Sequence, residues 1–292
     1  MSDKRIGRFG QIKIYVGKCF RSFIYEKGWI SLLTTVIVAV ILSWVIGDNT
    51  FKTFEDTRSG AFAMICGCIW TGLFNSIQSI CRERQIIKRE HRTGLHLSSY
   101  ITAHMIYEFV LCVAESIILT VIFALFRNFP DNGVLFGWTA FEIFISFTLV
   151  IFCADTLGIL ISCIVKTQNA AMIVMPFVLI FQLVMAGMMF KIPSEAEYVK
   201  ELTISKWGLN AVCSTSDVTK LPTSREFAMQ AEGNNTQIPL TQAELKAMEE
   251  YKADYKATAK NLGNCWGVLA GYSMVYGFLG TLFLKLVDKD KR

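Results

Sequence analysis

The sequence is poor in charge, proline and histidine. Among its 292 residues only 18% are charged, and there are 5 prolines and 3 histidines. It also contains no G-x-x-x-x-G-K-[ST] phosphate loop, no H-E-x-x-H zinc motif and no G-x-S-x-G nucleophile elbow. We therefore expect no catalytic residue, no metal site and no nucleotide site in this chain.

The charges are missing from whole blocks of sequence. A stretch of about 20 apolar residues is needed to cross about 30 Å of hydrocarbon as a helix. Six nearly charge-free blocks of that order occur, and 53% of all residues are hydrophobic. We predict an all-α membrane protein with six transmembrane helices, at about residues 29–46, 61–80, 100–126, 136–165, 170–190 and 265–284.

The charges that remain are mostly basic and lie between these blocks. The net charge is +5, and Lys and Arg cluster in residues 1–28, in residues 81–99, at Lys166 and after the sixth block. Basic segments stay on the cytoplasmic side of a membrane, which favours lipid headgroups over nucleic acid as the partner. The N- and C-termini are therefore predicted to be cytoplasmic, and the polar region 191–264 to be an extracellular, partly helical segment.

Residues 1–28 have a helical apolar stripe that includes Phe9, Ile12, Val16 and Phe20. Such a pattern predicts an amphipathic helix lying on the inner leaflet. A disordered basic arm is the alternative. The rest of the chain, 29–292, is predicted to be one transmembrane domain.

Residues 81–99 join the second and third spans and are rich in charge, too rich for a bilayer core. We predict a cytoplasmic elbow here. The third span carries Glu108 and Glu115, two helical turns apart on one face. They could form a polar relay for protons or ions, or they could be hydrogen-bonding anchors between helices.

Two further patterns concern the last span. Gly267 and Gly271 are spaced for close contact with another helix. Cys213 and Cys265 are both predicted to lie outside or at the outer edge of the membrane, where a disulfide between them is conceivable.

Several runs of sequence resemble a known family. They are Glu83-Arg84 and Arg89-Glu90 before Gly94 and Ser98-Ser99-Tyr100, then Leu157 to Ser162, Ala186 to Phe190 before Ile192-Pro193-Ser194, and Ser205 to Ala211. In this order they resemble the membrane subunits of type-2 ABC exporters, and within them the G subfamily, the white and pleiotropic-drug-resistance-like transporters.

The resemblance implies a permease that pairs with a second copy of itself or a similar chain. It implies an ABC ATP-binding subunit as partner, which would carry the ATP and Mg²⁺, and a bacterial plasma membrane as the location. Residues 1–28 would be the connecting helix, and the elbow would be the coupling helix, with Glu83, Arg84, Arg89 and Glu90 meeting the ATPase.

The resemblance also implies a cargo path. Phe74 and Leu183 would line it, and Met188 and Met189 would form the outer gate. The region 191–264 would form an extracellular lid whose first helix can be re-entrant.

We therefore predict the permease subunit of an ATP-driven exporter of a hydrophobic or amphipathic cargo. The main alternative is a proton-coupled secondary transporter in which Glu108, Glu115, Glu142 or Asp155 carries protons. A non-transporting membrane scaffold is a third, weaker reading.

Overall fold

The chain is built from helices, and no strand occurs in the part of it that the structure describes. A computed structural model describes residues 7–130, 132–188, 197–231 and 254–286. Its α-helices are α1 (Arg8–Tyr25), α2 (Trp29–Val45), α3 (Phe54–Ser76), α4 (Ser79–Arg92), α5 (Leu97–Phe126), α6 (Thr139–Ile164), α7 (Gln168–Met185), α8 (Glu197–Glu201), α9 (Ile204–Thr215), α10 (Ser224–Ala231) and α11 (Ala259–Leu284), with a 3₁₀ turn at Val218–Lys220. The predicted all-α fold is confirmed.

Five helices are long and apolar enough to cross a membrane, namely α3 with its continuation α4, then α5, α6, α7 and α11. Helix α2 has 17 residues, which is about 25 Å, and is bent by 68° from α1. It provides a sixth span if the bent pair α1–α2 is counted as one. The structure thus fits five or six spans.

Two of these helices begin earlier than the apolar blocks do. Helix α3 begins at Phe54, where the Thr53 side chain accepts a bond from the Asp56 N–H. Helix α11 begins at Ala259, where Thr258 does the same for Asn261. A capping hydroxyl accepts a hydrogen bond from a first-turn N–H whether the helix start lies in water or in lipid. The start of an apolar block therefore does not locate the start of the helix.

Helix α6 lies at the centre of the bundle and packs against α3, α5, α9 and α11. At Gly72 of α3 the backbones come close, because a Cβ there would lie 2.5 Å from the Ile151 carbonyl oxygen of α6. In α11 the glycines in close contact are Gly277 and Gly280. The predicted close contact at Gly267 and Gly271 is not seen, since a Cβ at either would meet nothing within 4 Å among the described residues.

Helix α9 enters the bundle instead of lying on its surface. A Cβ at Gly208 would lie 2.8 Å from Val150 of α6 and 3.1 Å from Ile65 of α3. Both neighbours sit near the middle of their helices. A short helix is thus buried at the level of the middle of α3 and α6.

Gln182 of α7 supplies the hydrogen bonds that the buried start of α9 needs. Its Oε1 accepts from the N–H groups of Ile204 (2.9 Å) and Ser205 (3.3 Å). The turn before α6 is also stabilised by a side chain. The buried carboxylate of Glu142 accepts hydrogen bonds from the N–H groups of residues 134, 135 and 136 at 2.6–3.0 Å. Both of these breaks in the helices are thus bonded to a side chain near them.

The two cysteines considered as a disulfide are both free thiols and both buried. Cys213 belongs to the main apolar core, whereas Cys265 packs in a separate cluster with Ala211 and Leu262. No bond joins them in the structure.

Replacing Gly72 by Ala should destabilise the protein. The added methyl group would overlap the α6 backbone, and overpacking of this kind costs about 1–3 kcal/mol. We expect a lower thermal unfolding midpoint in detergent. Gly267→Ala is the matched control, since its methyl group meets open space and its midpoint should stay equal or rise. An unchanged midpoint for Gly72→Ala would contradict the close α3–α6 contact.

Candidate functional site

The elbow helix α4 is anchored at its start to the end of α6. The Ser162 hydroxyl accepts from the N–H groups of Ile80 (3.0 Å) and Cys81 (2.9 Å). These are first-turn donors that have no partner within their own helix. The start of α4 therefore follows any movement of the end of α6.

Arg84 makes a second bond between the same two helices. It is buried, and its Nη1 donates to the carbonyls of Cys163 (2.9 Å) and Val165 (3.0 Å). These carbonyls lie at the C-terminal end of α6, where a cation is also favoured by the helix dipole. Arg84 points into the protein and so fixes the elbow from within.

One polar face of α1 is bonded along the length of the elbow, in antiparallel order. The bonds join Gln11 to the Gly94 carbonyl (3.1 Å), Tyr15 to Glu90 (2.7 Å), Lys18 to Glu83 (2.7 Å) and Glu26 to Arg82 (2.6 Å). The spacing of these α1 residues is that of one helical face. Helix α1 therefore has a bonded polar stripe as well as the apolar one.

Glu83 joins the elbow to two other helices. It accepts from Lys18 and also from the hydroxyl of Tyr100 in α5, at 2.8 Å. Burial alone would raise the pKa of Glu83, but the bonds from Lys18 and Tyr100 outweigh it, and the pKa lies below its usual value. The stabilisation is thus present at neutral pH and is lost only as the pH falls through that lowered pKa.

Another face of α4 is exposed. Ile86, Arg89 and Arg92 lie on it at helical spacing, and 43% of the apolar Ile86 side chain is exposed. Of the four predicted coupling residues, only Arg89 belongs to this face. Glu83, Arg84 and the half-buried Glu90 instead join the elbow to its neighbours.

A cavity of about 380 Å³ opens between α1, the start of α2, α3, the start of α4 and α5. It brings together three residues singled out from the sequence, Phe74, Glu83 and Glu108. Phe23 and Tyr107 also line it. The lining combines aromatic rings with charged groups, which suits a cargo with an apolar body and a polar end.

Glu115 is held by three donors beside this cavity. Its Oε1 accepts from Ser31 (2.8 Å), Asn75 (2.8 Å) and Thr35 (3.4 Å). These groups join α2, α3 and α5 inside the apolar bundle. The geometry is that of a hydrogen-bonding anchor between helices.

Glu108 differs from Glu115, although both lie on one face of α5. It is only 2% exposed, and its Oε2 has no hydrogen-bond partner among the described residues. It is placed on the wall of the cavity. The two carboxylates therefore do not form a bonded pair.

The second residue predicted to line the path, and the described residue of the predicted outer gate, lie elsewhere. Leu183 is half-buried near the end of α7, and Met188 follows that helix; neither lines the cavity. Met189 lies outside the described residues. Gly187 has a left-handed backbone (φ 72°), and its carbonyl accepts from Arg58 at 3.3 Å.

Comparison with known proteins shows which family the chain belongs to. Residues 10–215, from α1 to the end of α9, match the model of the family described as ABC-2 type transporter. The chain belongs to this family. It is a multi-pass membrane permease of an ABC transporter.

This ABC-2 permease is also 28% identical over 227 residues to an ABC transporter ATP-binding/permease protein of Mycobacterium tuberculosis. The match covers 73% of this chain and 26% of that protein. The chain thus corresponds to about a quarter of the length of that relative.

Some residues of the permease site were missed by the sequence analysis. Ser31, Asn75 and Gln182 are polar side chains inside apolar blocks, and each bonds a neighbouring helix. Their signal is their position, because a polar side chain in a span needs a partner there. Ser162 appears in one of the family-like runs, but its two bonds to α4 come only from the packing.

Removing the Glu83 carboxylate should loosen α1 from the elbow. Glu83→Ala loses the bonds to Lys18 and Tyr100, and we expect a cost of about 1–2 kcal/mol, or roughly a five- to thirtyfold change in local opening. Amide hydrogen exchange of residues 8–25 in detergent measures it. Arg89→Ala, on the exposed face of the same helix, should leave the exchange unchanged. Equal exchange in both variants would contradict the assignment.

The anchor role of Glu115 predicts different results for two substitutions. Glu115→Gln keeps an acceptor for Ser31 and Asn75, so the thermal midpoint should change little. Glu115→Leu leaves both donors without an acceptor and should cost about 1–3 kcal/mol. Equal loss of stability in both variants would show that the charge of Glu115, and not its hydrogen bonding, matters.

Proposed function

We propose that this chain is the membrane subunit of an ATP-driven exporter that moves a hydrophobic or amphipathic cargo by alternating access. The observation that carries the proposal is the elbow. In a chain of the ABC-2 family, α4 exposes one face while its other faces are bonded to α1, α5 and α6. A displacement of such a helix, caused by a partner bound to its exposed face, would be transmitted to these three helices.

We propose the exposed face of α4 as the docking surface for a separate ABC ATP-binding subunit, which supplies ATP and Mg²⁺. Arg89 and Arg92 offer charge, and Ile86, about one turn before Arg89, offers an apolar contact. Glu83, Arg84 and Glu90 then act behind this surface. They transmit its movement to α1, α5 and α6 through the bonds described above.

The cargo would enter the cavity between α1, α3 and α5, beside Phe74 and Glu108. Leu183 would line the path further along α7, with Met188 and Met189 as the outer gate. We propose that a second copy or a similar chain completes the path, as in the G subfamily. The termini and elbow would lie in the cytoplasm, and the membrane would be a bacterial plasma membrane.

Co-purification from the native membrane tests the proposal. The tagged full chain is extracted in mild detergent, and ATPase activity is measured on what remains bound. We expect the wild type to retain an ATPase in about equal amount. The double variant Ile86→Ser with Arg89→Glu should lower the retained activity about tenfold, because two contact residues of the docking surface are lost.

Lys52→Glu is the control, since it makes the same kind of charge change on an exposed residue between α2 and α3. It should keep wild-type ATPase. If the double variant retained the ATPase, the docking surface would have to lie elsewhere on the chain. Absence of an ATPase from the wild type, with transport driven by a proton gradient and abolished by Glu108→Gln, would instead support the secondary transporter.

A further inference from the structure

A second cavity, of about 650 Å³, lies between the start of α5 and the end of α11. Its lining is basic at one end. Arg8 of α1, His96 before α5 and Lys285 after α11 all contribute, and no carboxylate occurs among the described residues that line it. This end therefore suits an anion. The first turn of α5 lies here too, and the start of a long helix also attracts negative charge.

Much of the remaining lining is apolar and runs along two helices, with the hydroxyls of Ser98, Thr102 and Thr281 among it. Ile101 and Met105 face it from α5, and Met274, Phe278 and Leu282 face it from α11. Phe278 and Met274 are largely exposed, at 66% and 69%. At Gly277 the missing side chain leaves room for Met105, so the floor of the groove is formed by the Met105 side chain.

The length of the groove matches one leaflet. From Leu97 to Met105 a helix rises about 12 Å, and from Met274 to Lys285 about 16 Å. One half of the hydrocarbon core is about 15 Å thick. A ligand with its charge at the basic end would thus have an apolar part that reaches the middle of the membrane.

We propose that this groove binds an anionic phospholipid, with its phosphate against Arg8 and Lys285 and one acyl chain along Met105, Met274 and Phe278. The charge complementarity argues for an anionic headgroup over a neutral one. The exposed apolar wall, open to the surrounding lipid, argues for a lipid over a soluble phosphate. Bound there, the lipid connects α1, which holds the elbow, to the last span.

This site does not depend on the exporter mechanism, because it requires only that the chain lie in a membrane. Its test uses the delipidated full chain in detergent, titrated with dioleoyl phosphatidylglycerol. Dioleoyl phosphatidylcholine, dihexanoyl phosphatidylglycerol and inorganic phosphate are the comparison probes. The thermal unfolding midpoint is followed as each probe is added.

We expect dioleoyl phosphatidylglycerol to raise the midpoint at lower concentration than any of the other probes. The double variant Arg8→Glu with Lys285→Glu should weaken its apparent affinity about thirtyfold, because two cations at the headgroup level are reversed. Lys52→Glu, an exposed charge reversal away from the groove, should bind like the wild type. Both groove residues are exposed, so the double variant should keep the lipid-free midpoint of the wild type.

Three results would overturn the proposal. An equal response to phosphatidylcholine would remove the role of the headgroup charge. An equal response to inorganic phosphate or to the short-chain lipid would leave an anion site without an acyl groove. Unchanged phosphatidylglycerol binding by a folded double variant would place the lipid elsewhere on the protein. A variant with a lowered lipid-free midpoint is replaced by Arg8→Gln with Lys285→Gln, which should weaken binding in the same direction.

Discussion

The structure depends on satisfying backbone hydrogen bonds where helices end inside an apolar bundle. A buried N–H or C=O group without a hydrogen-bond partner costs free energy, and lipid tails cannot act as such a partner. Side chains near four of the helix ends meet this need here. Ser162 serves the start of α4, Arg84 the end of α6, Gln182 the start of α9 and Glu142 the turn before α6. A few polar side chains thus make a broken helical chain compatible with a membrane.

In the proposed mechanism, the same bonds let the elbow transmit movement to its neighbours. Four side chains make these polar, directional attachments: Ser162 and Arg84 between α4 and α6, Glu83 to α5 and α1, and Glu90 to α1. Packed helices usually slide by small amounts, whereas bonded ends move together. A displacement applied to the exposed face of α4 therefore reaches α6, the central helix, without passing through a flexible loop.

The sequence was sufficient for what depends on local composition. Apolar blocks of span length predicted the helices, and the charged segment at 81–99 predicted their interruption. The direction of each side chain could not be read in this way, because it depends on how helices pack. Glu83 and Arg84 were assigned to a docking surface, yet packing against α1 and α6 turns both inward. The residues of α9 were assigned to a polar extracellular region because they include Lys206 and Asn210. In the structure the bundle buries both side chains.

Glu108 and Glu115 have different surroundings although their spacing in the sequence places them on the same face of α5. Seven residues apart, they share a face of α5, but a shared face does not give a shared environment. Helix α2 supplies Ser31 and Thr35 to Glu115. At the level of Glu108 the chain has already bent by 68° away from α2, at Gly28, where a side chain would collide with Phe23. The bend therefore leaves a cavity in place of a bonding partner, and this difference separates an anchoring carboxylate from one that faces a cavity.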